Sequence, residues 1–407
     1  MSPANSRISP REHFTCMKGN RPMIKTLRTA ACLLAAAAAV TVSASPAAAD
    51  DHAGLQRVLD QAVADGMPGA MADVRDGRRS WFGTAGVADT ETGRKRSRQD
   101  YFRAGSTTKT FVAVVVLKLA AEGRLSLDDT VDKWLPGVVK GNGHDGSKIT
   151  VRQLLNQISG VFPYTSDADL ATKQWSTAFL KVRFNSYRPE DLVKTAMGNP
   201  PSFEPGKGWG YSNTNFILAG MIIEKVTGRS YADEINRRII RPLGLRKTYL
   251  PGEVTKLRKP HARHYVKFLV GEDTTTPYDL TDMNPSWAGA AGSIVSTMGD
   301  LHTFYRAVLS GRLLPPAQQK EMFTTVSTKG VPWIDNTAYG LGIFSQKLSC
   351  GVTVWGNGGR IHGSWTYAMG TRDGRHMVVT NINGDWGNPI SILTEEMEAE
   401  MCPPRSR

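Results

Sequence analysis

The sequence predicts an α/β fold of the α+β type, in which an antiparallel sheet is flanked by terminal helices and interrupted by an inserted, mainly helical domain. Three observations predict it. Residues 51–65 have the apolar spacing of a helix and precede two short apolar runs, 69–74 and 79–87, which resemble a hairpin. Residues 124–270 contain helical patterns with few strand-like alternations. The C-terminal part alternates like strands before a last helix, so both ends of the chain contribute to one sheet.

The predicted elements follow this periodicity along the chain. Helices are expected at 51–65, 106–123, 125–134, 151–157, 190–197, 214–227, 231–240, 300–309 and 390–401. Strands are expected at 69–74, 79–87, 340–344, 352–355, 365–370 and 376–381. The domain boundaries that follow place an α/β sandwich domain in 50–123 and 271–407, and a helical domain in 124–270.

Residues 1–49 have the pattern of a secretory signal, with room for an upstream extension. Lys25 and Arg28 form a positive region, 30–42 is apolar, and the small residues 47–49 form a cleavage site. The apolar run is short for a membrane span, so we expect a secreted protein without a transmembrane segment. In that oxidising compartment the cysteines that remain, Cys350 and Cys402, are expected to form a disulfide, the alternative being two buried thiols.

The formal net charge of +13 raises the question of a nucleic-acid partner. Apart from the cluster at 94–98, however, the positive charges of the mature chain are dispersed, and a dispersed surplus is typical of a solvated surface. We therefore expect no nucleic-acid partner and a monomer, with association with an anionic cell wall as a further hypothesis. His261 and His264 lack a clustered third ligand, so neither a metal nor another cofactor is expected.

The stretch from Phe102 to Gly123 carries the first chemical signal. A small-residue turn leads into an apolar helix, which places Ser106 in the first turn and Lys109 on the same face at i+3. A serine hydroxyl becomes a nucleophile when a neighbouring base takes its proton. The alternative is an N-capping serine beside a solvated lysine, but the apolar helix predicts that Lys109 is close to a buried core.

A second signal lies in the glycine-rich loop at 203–215. Tyr211 and Asn213 stand where this loop enters a helix. Either residue could be structural, with Asn213 capping the helix and Tyr211 packing against it. In a catalytic role, the phenol would share the proton of Ser106, and the amide would hold Lys109 or accept a substrate N–H.

Ser106-x-x-Lys109 followed by Tyr211-x-Asn213 resembles the penicillin-recognising serine hydrolases, and most closely the branch of secreted D-alanyl-D-alanine carboxypeptidases, class C β-lactamases and related esterases. The resemblance implies a β-lactamase/transpeptidase-like fold and a peptide or small-molecule substrate. The implied substrates are D-alanyl-D-alanine-type peptides, such as a peptidoglycan stem peptide, β-lactams, and related amides or esters. It also implies acylation of Ser106, with Lys109 and Tyr211 exchanging protons, and both of these residues are candidates for the acylation base. The backbone N–H groups of Ser106 and Arg360 would form the oxyanion hole. Trp287 and Tyr164-Thr165 would line the cleft, the alternative for Trp287 being a place in the core.

The sequence departs from the family at its third motif, a Lys-Thr-Gly or His-Thr-Gly triad. Asn357-Gly358-Gly359 takes its place as the expected substrate-binding segment. Asn357 can still donate a hydrogen bond to substrate, but the titratable group and the hydroxyl that would hold a carboxylate are missing. This favours an esterase, an amidase or a weak carboxypeptidase. The alternative is a protein that binds cell-wall peptides or β-lactams with little or no turnover. A relay from Ser106 to His362 is disfavoured because no G-x-S-x-G elbow occurs.

Overall fold

A computed structural model describes residues 52–271 and 273–402, and the predicted signal segment at 1–49 lies outside these residues. The helices are α1 (Ala53–Ala64), α2 (Thr108–Ala121), α3 (Val131–Trp134), α4 (Val151–Leu155), α5 (Ala168–Trp175), α6 (Phe179–Val182), α7 (Pro189–Met197), α8 (Asn213–Thr227), α9 (Tyr231–Ile235), α10 (Arg241–Leu243), α11 (Gly289–Gly292), α12 (Met298–Leu309), α13 (Pro316–Phe323) and α14 (Pro389–Met401). The strands are β1 (Gly69–Asp76), β2 (Arg79–Gly86), β3 (Phe102–Arg103), β4 (Lys140–Gly141), β5 (His144–Asp145), β6 (Tyr265–Val266), β7 (Tyr278–Asp279), β8 (Val295–Ser296), β9 (Val326–Ser327), β10 (Thr337–Tyr339), β11 (Phe344–Lys347), β12 (Thr353–Ile361), β13 (Ser364–Gly370), β14 (His376–Ile382) and β15 (Gly384–Asp385).

The main sheet has eight strands in the order β2-β1-β14-β13-β12-β11-β10-β9, and each neighbouring pair is antiparallel. The N-terminal hairpin joins the C-terminal strands through β1 and β14, where Ala70 pairs with Ile382. The predicted α+β architecture, with a sheet built from both ends of the chain, is therefore confirmed.

The helices pack on the two faces of this sheet. Helices α1 and α14 contact one another and share an apolar core with β1, β13 and β14. A larger core surrounds α2 and α8, and nearly every residue of α2 is buried. Burial on all sides explains why α2 is apolar all round rather than amphipathic. Among the described residues, no helix is long and apolar enough to cross a membrane.

Several predicted elements differ from the structure in extent or in type. The strand expected at 340–344 is mostly a turn, because Gly342 adopts a positive φ of 66° and the chain becomes extended only at Phe344. The helix expected at 125–134 is reduced to α3, because a turn held by Ser126 and Asp129 precedes it. The helix expected at 231–240 has the predicted bounds, but its second half, Asn236–Ile240, is π-helical rather than α-helical.

The described residues, 52–271 and 273–402, belong to one compact unit. The boundaries proposed at 123/124 and 270/271 within it stay a prediction. Helix α2 contacts α8, and β12 packs against the turn that precedes α2. Of the residues predicted for the site, Lys109 lies on α2, Asn213 on α8 and residues 357–360 on β12.

Candidate active site

Ser106 lies in a short 3-10 turn, Gly105–Thr107, that runs directly into α2. Gly105 has a positive φ of 53°, and a side chain there would place its Cβ 2.7 Å from the carbonyl oxygen of Arg360. Glycine therefore allows both the sharp turn and the close approach of β12. Thr108 fixes the turn, because its hydroxyl donates to the carbonyl of Gly105.

Lys109 is completely buried, and its Nζ has three oxygen partners. The distances are 3.0 Å to Ser106 Oγ, 2.8 Å to Asn213 Oδ1 and 2.7 Å to the carbonyl oxygen of Ala291. Burial lowers the pKa of the Lys109 ammonium well below its usual range, since no carboxylate among the described residues forms an ion pair with it. Burial therefore favours the neutral amine, which is the form that can accept the proton of Ser106.

Tyr211 approaches Ser106 from the other side. Its hydroxyl donates to Ser106 Oγ at 2.7 Å, and Lys109 Nζ lies 4.7 Å from the centre of its ring. Burial raises the pKa of the Tyr211 phenol far above its ordinary value. A lysine pKa that is lowered beside a tyrosine pKa that is raised favours a neutral amine and a neutral phenol at rest. Of the two candidates for the acylation base, this arrangement favours Lys109.

Asn213 is the first residue of α8 and holds Lys109 in place. Its side-chain N–H group donates to the hydroxyl of Thr165 at 3.4 Å, which orients the amide oxygen toward Lys109. Tyr164 lies next to this contact and donates its hydroxyl to the backbone carbonyl of Trp287 at 2.6 Å. The loop at 164–165 and Trp287 thus meet at the predicted cleft.

Strand β12 packs directly against the Ser106 turn through Gly359. A Cβ on Gly359 would lie 1.9 Å from the carbonyl oxygen of Ala104 and 2.8 Å from the backbone nitrogen of Ser106. Only glycine permits this contact. The backbones of Ser106 and Arg360 are therefore neighbours, the arrangement needed for two N–H groups to share one oxyanion.

Asn357 does not offer its amide hydrogens to a ligand, which corrects the expectation that it donates to substrate. Its Nδ2 donates to Thr110 Oγ1 at 3.1 Å and to the carbonyl of Gly342 at 3.0 Å, and the residue is buried. Both hydrogens of the amide are thus used to join β12 to α2 and to the turn before β11. Gly358 lines the cavity next to it without a side chain.

The side chain of Arg360 is held in an ion pair rather than free for a substrate. Its guanidinium contacts the carboxylate of Asp385 at 3.0 Å and lies over the rings of Trp175 and Trp365, at 4.1 and 5.1 Å from their centres. The indole of Trp365 donates to the same carboxylate at 2.8 Å. The sequence analysis did not identify Asp385 or either tryptophan.

A cavity of about 540 Å³ opens at Ser106. Eight of the residues that line it are aromatic: Tyr164, Trp175, Tyr211, Trp287, Trp333, Phe344, Trp365 and Tyr367. Trp333 stacks on Tyr211, with ring centres 4.8 Å apart and planes 20° apart. Trp333 lies in a loop after Pro332 with no motif around it, so the sequence carried no signal for its position at the site.

The family model named Beta-lactamase matches residues 55–391, which is most of the chain and includes each site residue above up to Asp385. This chain belongs to the beta-lactamase family. Its fold is therefore the beta-lactamase fold, and the resemblance to the penicillin-recognising serine hydrolases inferred from the sequence is confirmed.

Relatives of this beta-lactamase-family chain have several different names. A solved D-stereospecific amidohydrolase from Streptomyces sp. is 51% identical with a TM-score of 0.80, and the match covers 86% of this chain and 98% of that one. A penicillin-binding protein of Bacillus subtilis strain 168 is 30% identical over 270 residues, covering 64% of this chain and 56% of the relative. Esterase EstB of Burkholderia gladioli is 32% identical over 203 residues, covering 49% of this chain and 51% of the esterase. The chain spans about half the length of these two curated relatives.

His362 is placed away from the chemistry of this beta-lactamase-family site. Its Nε2 lies 2.9 Å from the carbonyl oxygen of Gln174, and its ring stacks on Phe179 with centres 4.1 Å apart. Burial lowers the pKa of His362 to about 4. In the described part of the chain, Ser106 Oγ is bonded to Lys109 and Tyr211 instead.

Two further sequence expectations concern cysteines and metals. Cys350 and Cys402 are joined by a disulfide, which ties the turn before β12 to the end of α14. Within residues 52–271 and 273–402, no group of three or more His, Cys, Asp or Glu side chains is arranged to hold a metal ion.

Proposed function

We propose that this protein is an exported serine amidohydrolase that forms an acyl-enzyme at Ser106 and cleaves amides or esters of D-configured amino acids. One observation carries the proposal: Ser106 Oγ lies 3.0 Å from Lys109 Nζ and 2.7 Å from Tyr211 Oη, at the mouth of an aromatic cavity. A nucleophile within hydrogen-bond reach of both a base and a proton donor is the geometry that covalent catalysis needs.

The reaction follows from these contacts. Ser106 Oγ attacks the substrate carbonyl carbon while its proton passes to the neutral amine of Lys109, and the N–H groups of Ser106 and Arg360 stabilise the oxyanion. Tyr211 donates its proton to the leaving amine or alcohol and is reprotonated from Lys109. Water then attacks the acyl-enzyme, the same groups move its proton, and Ser106 is restored with release of the acid.

Two observations support an uncharged amide or ester rather than a peptide that ends in a carboxylate. Gly358 has no hydroxyl, and both amide hydrogens of Asn357 are bonded within the protein, so neither binds a carboxylate in the way that the family's third motif does. The 51% identical relative is named a D-stereospecific amidohydrolase. Peptidoglycan stem peptides are the second substrate class for test, because a penicillin-binding protein is also among the relatives.

Export is part of the proposal. It is supported by the signal pattern at 1–49 and by the disulfide between Cys350 and Cys402, since disulfides persist mainly in oxidising compartments. The measurement is the mass of the protein secreted by its native host, which is expected to begin at Asp50. A full-length chain retained in the cytoplasm would contradict this part of the proposal.

The catalytic part is tested with the mature chain, D-phenylalaninamide and its L-enantiomer, and a labelled penicillin. We expect hydrolysis of the D-amide, a preference for D over L, and an acyl adduct by intact mass that is absent from Ser106→Ala. Ser310→Ala, at an exposed serine, is the matched control and should retain activity.

Two outcomes would contradict the proposal. An adduct that persists for hours, with no turnover of amides or esters, would favour the alternative of a slowly deacylating binder. Hydrolysis that survives in Ser106→Ala would remove Ser106 as the nucleophile.

A further inference from the structure

Arg360 is the one side chain with a permanent charge among the described residues that line the cavity. The other lining side chains are aromatic, aliphatic, hydroxyl or amide groups. Arg360 lies on β12 immediately after the glycine that contacts Ser106, and its side chain is about one-third exposed. An unpaired arginine at this position would attract a substrate carboxylate strongly, because guanidinium and carboxylate groups form charge-assisted, bidentate hydrogen bonds.

Asp385 forms an ion pair with the guanidinium of Arg360 instead. Arg360 Nε lies 3.1 and 3.3 Å from the two carboxylate oxygens of Asp385, and Nη2 lies 3.0 and 3.2 Å from them. The ion pair is therefore bidentate. The Asp385 side chain is only 3% exposed, so solvent screens the pair weakly and its two charges cancel at short range.

Neighbouring groups hold the pair in place. Trp175 and Trp365 lie against the guanidinium, and the Trp365 indole donates to Asp385 Oδ1. Asp385 itself belongs to β15, which pairs with β6 at Val266 and is therefore fixed by the backbone. The guanidinium cannot turn to a substrate without leaving the buried carboxylate of Asp385 without its positive partner, and breaking a buried ion pair in this way is strongly unfavourable.

We propose that Asp385 determines the charge selectivity of the active site: by neutralising Arg360, it makes the cavity favour acyl donors that carry no free carboxylate near the scissile bond. This inference rests on the proposed function, because it concerns the substrates of the acyl-enzyme formed at Ser106. Asp385 acts through Arg360 and is a positioning residue.

The test compares the wild type, two single variants and the double variant of the Arg360–Asp385 pair. The quantity measured is the ratio of the kcat/KM values for two substrates. The two substrates are N-acetyl-D-phenylalanyl-D-alanine and its C-terminal amide, which differ only in the carboxylate. Because the readout is the ratio of acid to amide, a general loss of activity in a variant cancels. We expect the ratio to rise about tenfold in Asp385→Asn, which leaves Arg360 positively charged, and to fall about tenfold in Arg360→Gln, which leaves Asp385 negatively charged.

The double variant Arg360→Gln/Asp385→Asn is the matched control, because it restores a neutral pair. Its ratio should return to within about twofold of the wild-type value, and 1 M salt should reduce the gain in Asp385→Asn. If Asp385→Asn does not fold, Arg360→Gln should still lower the ratio, and the double variant should still restore it.

Two results would overturn the inference: a ratio unchanged in both folded single variants, or a tenfold lower ratio in the double variant, which would show that wild-type Arg360 binds the carboxylate despite Asp385. Failure of the proposed function is distinct, because the wild type would then hydrolyse neither substrate. In that case calorimetric binding of the same two compounds to the four proteins, each carrying Ser106→Ala, tests the charge order without turnover.

Discussion

Replacing Asn213 by aspartate tests the assignment of Lys109 as the base. Asn213 Oδ1 lies 2.8 Å from Lys109 Nζ, so Asn213→Asp puts a carboxylate oxygen at hydrogen-bond distance from a buried amine with almost no other change of shape. Coulomb's law at an effective dielectric constant of about 20 gives roughly 6 kcal/mol for unit charges at this distance. Desolvation of the new carboxylate offsets part of it. A shift of about 1 to 3 units in the pKa of Lys109 remains, in line with other opposite-charge neighbours.

The sign follows from which form of Lys109 is active. Burial lowers the pKa of Lys109 in the native enzyme, and the neutral amine accepts the Ser106 proton. A neighbouring carboxylate raises that pKa, so less neutral amine is present at any given pH. The rising limb of kcat/KM against pH should therefore move to higher pH by about 1 to 3 units. On that limb, activity at fixed pH should fall about 10- to 1000-fold.

The assay is the pH profile of kcat/KM from pH 5 to 10 with an uncharged ester. Asn213→Ala is the control, because it removes the same acceptor without adding a charge. Its limb should not move upward, although its rate should be lower. A limb that stays in place in Asn213→Asp, or moves to lower pH, would refute the assignment of Lys109 as the base.

Three further predictions concern packing and stability. Gly359→Ala puts a Cβ 1.9 Å from the carbonyl of Ala104, so β12 must move away from Ser106; esterase activity should fall at least about 100-fold, whereas Gly54→Ala, where the nearest atom is at 3.5 Å, should be active. Burial raises the pKa of Glu396 to about 8, so the stability that this carboxyl contributes when protonated is lost as the pH rises through 8. The melting temperature of Glu396→Gln should exceed that of the wild type above pH 8, and the difference between the two melting temperatures should be smallest near pH 4. The double variant Cys350→Ser/Cys402→Ser should lower the free energy of unfolding by about 2 to 4 kcal/mol in urea titrations, and reduced wild type should match it.

Local patterns were sufficient for part of the site. Ser106 and Lys109 are three residues apart on one helix, so helical geometry alone brings them together. Tyr211 and Asn213 required the family resemblance, because about a hundred residues separate them from Ser106 and no periodicity in the sequence fixes that contact.

The sequence could not show which hydrogen-bond and ion-pair partners the side chains of β12 have. Asn357 has a side chain that could bind a ligand, but its amide donates a hydrogen bond to Thr110 in the interior, and Thr110 lies far away in the sequence. Arg360 likewise has a side chain that could bind an anion, but it forms an ion pair with Asp385, which lies on a separate short strand. Such pairings depend on three-dimensional contacts. The strand expected at 340–344 failed for a local reason, since the positive φ of Gly342 turns the chain there.

The pairing of β1 with β14 has a consequence for how the chain folds. The partners Ala70 and Ile382 are roughly 300 residues apart, and β14 must insert between the N-terminal hairpin and β13 before the sheet is continuous. Contacts this distant make loop closure entropically costly and folding slow. Until β14 is in place, β1 presents an unpaired edge of mostly buried residues to other chains. Refolding at low protein concentration should therefore give a higher yield of active enzyme than refolding at high concentration.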